Sequence, residues 1–141
     1  MKKPLLLSIL ILLLLSFSTF ANDKLADFNG EWVYEKGERW FLLHLEQQGQ
    51  KIEGWYSAVV NWSNEWRMRI DGIPEESKNI ISGIIKGDTA EVKFKSEWGG
   101  TGKAKISHKG NKIKWEIIKG TETGKFYCPQ SGALRKKRNL K

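Results

Sequence analysis

The chain reads as short segments in which apolar and polar residues alternate with a period of two, separated by glycines. Gly30 to Lys36 sets Trp32 and Tyr34 against Glu31 and Glu35. Thr89 to Ser96 places Ala90, Val92 and Phe94 on one face and Glu91, Lys93 and Lys95 on the other. Lys103 to Ser107 repeats the pattern with Ala104 and Ile106, and Lys112 to Ile118 with Ile113, Trp115 and Ile117. Such alternation predicts strands with one buried face and one wet face. Trp66, Met68 and Ile70 alternate with Arg67, Arg69 and Asp71, which predicts the apolar set inside. Arg39 to Gln47 and Lys51 to Val60 are apolar on both faces and do not reveal which side is buried. Beyond the first 21 residues no segment sustains a 3.6-residue period, and Pro74 to Lys78 could supply one helical turn at most.

Turn chemistry supports the strands. Gly87-Asp88 and Gly110-Asn111 suit two-residue hairpin turns, and Gln48-Gly49 closes a third hairpin. Gly99-Gly100 and Gly120 to Gly124 read as looser connections, while Gly54 and Gly83 interrupt strands where bends or bulges are expected. The expected fold is all-β: an antiparallel up-and-down meander of eight or nine strands closing into a small barrel. Closure removes the exposed edges that an open meander would present.

The organisation follows from the ends. Lys2 and Lys3, the apolar run Leu5 to Leu15, and Thr19-Phe20-Ala21 form the three parts of a cleaved signal peptide over residues 1–21. Residues 22–134 are then a single barrel domain whose residues 22–29 form a mobile lead-in, and 135–141 a frayed basic C-terminal tail. The expected location is periplasmic or secreted. Of 141 residues, 120 remain after the leader, enough for one core and too few for most multi-domain enzymes. The net charge of +8 falls to +6 as Lys2 and Lys3 leave. Cys128 is the only cysteine, so no internal disulfide can form; it reads as a small apolar residue near the last strand, with a disulfide-linked dimer the less favoured alternative.

The triplet Gly30-Glu31-Trp32 on the first strand of an up-and-down barrel resembles the calycins, the group of lipocalins, fatty-acid-binding proteins and avidins. The segment Gly54 to Val59 is similar to the third strand of avidins. The resemblance implies that Trp32 plugs the closed end and stacks on a basic residue of the last strand, for which Arg135 is the candidate. Nine alternating strands, however, would run the last parallel to the first and leave Arg135 at the wrong end. The second lipocalin signature and the late tryptophan pair of avidins are absent, so biotin binding is not carried over.

The seven tryptophans stand out in the composition. Trp32, Trp66 and Trp115 belong to inward faces, whereas Trp62 and Trp98 lie in or beside connections. Alternating strand direction puts the Asn61 to Glu65 loop opposite the Trp32 plug, together with the Gly87 and Gly110 turns. At that mouth Tyr34, Tyr56, Trp62 and Trp66 are the candidate ligand-binding residues, weighed against a role in capping the core. Lys93 and Lys95, Lys103 and Lys105, and Lys112 and Lys114 project outward from three successive strands. Pairing around Gly99-Gly100 could set Lys95 beside Lys103 and Lys93 beside Lys105. Like charges directly opposite destabilise a sheet, so that register would point to an anionic partner rather than to a merely solvated face.

Catalysis has little support. His44 and His108 are not clustered with other ligands, so no metal site is expected, and Ser57 and Ser131 lack a nucleophile elbow. No cofactor is implied, and export argues against nucleic acid. The expected function is therefore a non-enzymatic binding protein holding a small apolar or amphipathic ligand in the barrel mouth, with basic residues for any acidic head group. The alternative is a protein-binding inhibitor or immunity factor acting on an exported enzyme or toxin. Peripheral contact with an anionic envelope surface is compatible with both.

Overall fold

The computed structural model describes residues 24–37, 39–62, 67–72, 80–120 and 123–138, and the side chains of Asn61, Trp62 and Arg67 are not among them. Residues 1–21, Trp66 and the Pro74 to Lys78 stretch lie outside the described residues. Nine strands follow in order: β1 (Gly30–Lys36), β2 (Arg39–Gln48), β3 (Lys51–Trp62), β4 (Arg67–Asp71), β5 (Ile81–Lys86), β6 (Thr89–Lys95), β7 (Thr101–Lys109), β8 (Lys112–Lys119) and β9 (Ser131–Lys136). All pairings between named strands are antiparallel, in the order β2-β1-β9-β8-β7-β6-β5-β3-β4, and β2 also pairs with β3. That last pairing closes eight strands into a barrel and leaves β4 as an extra strand.

The strand count resolves at β3. Its first half, Lys51 to Gly54, pairs with β5, and its second half, Ala58 to Trp62, pairs with β4. β4 and β5 thus run in the same direction along one long strand and occupy successive stretches of a single barrel position. With eight positions instead of nine, β9 returns antiparallel to β1. The tight turns open on glycines at φ near +60°, including Gly87 and Gly110, a conformation that side chains with a Cβ adopt reluctantly.

Inward residues alternate as a closed barrel requires. Phe41, Leu43 and Leu45 of β2, Ile52, Tyr56 and Ala58 of β3, and Ile106, Ile113 and Trp115 are all buried. Aromatic rings fill the interior: Phe41 lies 5.3 Å from Trp115 and 5.7 Å from Tyr56, and Phe94 lies 5.8 Å from Trp115. Gly54 and Gly83 carry no bulge. Each sits where the curved sheet brings backbones together, because a Cβ at Gly54 would strike the His44 carbonyl oxygen and one at Gly83 that of Glu91. The register shift falls instead between Lys103 and Ala104.

Three features depart from the sequence reading. Phe28, in the supposed mobile lead-in, is fully buried, and Ala26 N–H donates to the Gly87 carbonyl at 2.9 Å. The lead-in closes one end of the barrel: the Trp32 indole donates to the Phe28 carbonyl at 3.0 Å, and His108 lies edge-on to both rings. The Gly87 and Gly110 turns therefore sit at the Trp32 end, not opposite it. The tail, too, is ordered as far as β9 reaches. Lys136, not Arg135, stands over the Trp32 ring at 5.4 Å, while Arg135 points outward to Glu35 at 3.7 Å.

Candidate binding site

The end opposite Trp32 is closed by the connection between β8 and β9. Phe126 packs edge-on against Phe94 at 5.5 Å, Cys128 is buried, and the Trp115 indole donates to the Pro129 carbonyl at 2.9 Å. The fastening is Asp71. Its carboxylate accepts from the Tyr56 hydroxyl (3.0 Å), the Ser96 hydroxyl (2.8 Å), the Glu97 N–H (3.2 Å) and the Tyr127 N–H (2.8 Å). A buried carboxylate is tolerable only when so satisfied. Burial drives the Tyr56 hydroxyl well above its ordinary pKa, and desolvation with the Asp71 charge does the same to the Cys128 thiol. Both groups are neutral and sealed in, which suits locking rather than chemistry.

β4 is therefore turned inside out relative to the expected pattern. The pairing of Asp71 with Ala58 and Arg69 with Val60 puts the polar residues on the inward face. Met68 and Ile70 face out, 57% and 42% exposed. Outside the plug, the exposed Trp98 donates from its indole to the Ile70 carbonyl at 2.8 Å, with Arg69 over its ring at 5.7 Å and Tyr127 edge-on at 5.2 Å.

The four candidate mouth residues do not gather around an opening among the described residues. Tyr56 is a core residue with no exposure. Tyr34 is half-buried, packed on the core and against Gly132. Trp62 ends β3, and Trp66 lies outside the described residues. The interior slit beside Tyr34, Phe41 and Tyr127 measures only about 10 Å³.

The large concavities open outward. One of about 870 Å³ lies across β5, β6 and β7, with the exposed Ile84 supplying apolar surface and Lys51, Lys86, Lys93, Lys103 and Lys105 the charge. A second, about 590 Å³, shares Ser82, Lys93 and Lys103 with it and extends to Lys95 and Lys119. The register explains the charge. Lys93 stands directly opposite Lys103, and Lys103 directly opposite Lys119, giving three lysines in a row across β6, β7 and β8. The expected pairing is corrected by two residues: Lys95 faces Thr101, and Lys105 faces Glu91 on one side and Glu116 on the other.

That neighbouring row alternates acid and base, so the lysine row is not forced by a shortage of carboxylates. No ion pair among the described residues reaches Lys93, Lys103 or Lys119, whereas Lys51 holds Glu53 at 3.0 Å and Lys114 holds Glu116 at 3.2 Å. Of the six lysines singled out in the sequence, Lys93, Lys95, Lys103 and Lys105 border these two connected concavities. Lys112 borders a different one, and Lys114 lines none of those described. Lys119, Lys51 and Lys86 were missed, because only the cross-strand register brings them to the same face.

His44 lies on β2, facing outward. It stacks on Trp55 at 5.0 Å and meets Glu46 through Nε2 at 3.2 Å, but its Nδ1 finds no hydrogen-bond partner. Compared with family models, with curated proteins and with solved structures, the chain matches none.

Proposed function

We propose that the chain is an exported, non-enzymatic binding protein that holds an amphipathic anionic ligand against the outer concavity of β5 to β7 rather than in a barrel mouth. The observation that carries this reading is the Lys93-Lys103-Lys119 row. Opposed like charges cost a sheet stability, and an anion placed among them removes that cost. The concavity of about 870 Å³ is of the size that small-ligand sites occupy. Its apolar surface, including the 52% exposed Ile84, suits an alkyl or aromatic portion beside the acidic group. A calycin-like classification is supported by Trp32 at one closed end with a cationic side chain from the last strand over its ring.

The test is calorimetric titration with dodecyl phosphate below its micelle concentration. Lys93→Thr with Lys103→Thr should weaken binding about tenfold or more, since each removes a charged hydrogen-bond donor. Unchanged affinity in that double variant would remove the reading.

A second reading is an inhibitor or immunity factor that docks on an exported protein. The exposed Met68, Ile70 and Trp98, gathered near one end of a barrel with a filled interior, favour it. It predicts a complex that Met68→Ser with Ile70→Ser disrupts and the lysine variants leave intact.

A further inference from the structure

The lysine row has a counterpart on another flank of the barrel. A concavity of about 730 Å³ lies across β1, β9 and the start of β8, walled by Val33 and Trp40 and rimmed by Lys112, Arg135, Lys137 and Arg138. The register repeats the first site's signature. Arg135 stands directly opposite Lys112 on one side and opposite Val33 on the other, a like-charge pair beside an apolar residue. Val33 is 8% exposed although it faces outward, so the floor is apolar and covered. Trp40, part-buried, adds a flat wall.

The charges at this second concavity are available. Lys112 and Arg138 hold no ion pair among the described residues. Arg135 meets Glu35 at 3.7 Å with both side chains mostly exposed, and Lys137, itself half-exposed, meets Glu31 at 3.0 Å. Exposed pairs of that kind contribute about 0–1 kcal/mol and yield to a competing anion. Around the ring of eight strands, β6 at the centre of the first site is separated from β9 and β1 by three and four steps. Four steps is half a turn, so the two concavities face away from each other.

We propose that this flank is a second site for the same class of ligand, so that one chain holds two amphipathic anions on opposite sides. The ligand class rests on the reading of the first site; the existence of the second rests on its own register and shape. Among the described residues, aromatic side chains fill the interior and both concavities of this charge pattern lie on the outer surface.

The two claims separate in one calorimetric series with dodecyl phosphate below its micelle concentration. The wild-type chain should bind two ligands. Lys93→Thr with Lys103→Thr should bind one, and so should Lys112→Thr with Arg138→Ser; the combination should bind none. A wild-type stoichiometry of one that survives Lys112→Thr with Arg138→Ser overturns the second site and leaves the first. A stoichiometry of one that is lost in that variant and survives the Lys93 and Lys103 changes overturns the first site instead. No binding at all overturns both. Inorganic phosphate binding as tightly as the amphiphile overturns the amphipathic character. Thermal melts establish that each variant is folded, and Arg138→Ser alone, in the last described residue, serves if the double change unfolds the chain.

Discussion

The outer surface of the barrel is divided. Over β5 to β8 the exposed face is mostly charged, and in β6 it alternates strictly with the core: Glu91, Lys93 and Lys95 out, Ala90, Val92 and Phe94 in. Over β1 to β4 the outward face mixes charged residues such as Glu35 and Glu53 with apolar and aromatic ones. Val33, Leu42 and Ser57 lie side by side in register and are all buried, although they face outward. Trp40 stands opposite Val59, Trp55 opposite His44, and Val59 opposite the exposed Ile70. In one half, polarity tells inside from outside. In the other it does not, and there even a carboxylate, Asp71, is buried.

The lesson is that burial follows register and hydrogen-bond satisfaction, not hydropathy alone. Asp71 is inside because β3 presents Ala58 to it and four donors converge on its carboxylate. Ile70, its apolar neighbour, is outside because the next pleat points the other way. The lysine half shows the complementary case, in which alternation is obeyed and yet the register stacks like charges.

The comparison breaks first on β4. Asp71→Ala leaves four buried or part-buried donors without an acceptor and should cost about 3–5 kcal/mol in urea unfolding. Ile70→Ser, one residue away, should cost less than about 0.5 kcal/mol. Equal costs would mean that β4 faces the other way.

The buried hub of that same half should also make the protein sensitive to alkali. The Cys128 and Tyr56 pKa values are raised in the folded state, so their contribution is complete at low pH and is lost as pH rises. The unfolded chain releases the thiol proton above 9.0 and the phenol proton above 10.0, while the folded chain keeps both. Stability should fall by about 1.4 kcal/mol per pH unit for each group. Cys128→Ala should flatten the fall between pH 9.0 and 10.0 relative to the wild type; an unchanged slope would place the thiol in water.

The smallest effect belongs to the charged half. Lys103→Thr relieves two opposed like-charge pairs and should stabilise the ligand-free protein by about 0.2–1 kcal/mol, most at low salt. The same change should weaken the anionic ligand. A variant that loses both stability and ligand would show that Lys103 supports the sheet rather than the site.

Much of the architecture could be read from residues alone. The alternation in β6, β7 and β8, the glycines at Gly87 and Gly110, and Trp32 and Trp115 as core residues need no tertiary information, since a two-residue period and a positive φ are local requirements. Phe28 was hidden because a single aromatic among polar neighbours has no period to announce it. Asp71 was hidden because an acidic residue in an alternating strand looks solvated until its donors arrive from Ser96 and Tyr127, far along the chain. The Gly87 and Gly110 turns were placed opposite Trp32 by counting strands, and the count failed where β4 and β5 share one barrel position.

What the sequence determined by itself was the all-β class, the strand segments and the strongly basic character of the late strands, because each depends on neighbours within a few residues. Only the tertiary structure decided which face of β2, β3 and β4 is inside, and that Phe28 and the β8–β9 connection cover the two ends. It also decided that Lys93, Lys103 and Lys119 stand in line. Those outcomes depend on cross-strand register, where a shift of one residue exchanges the two faces and a shift of two exchanges every partner.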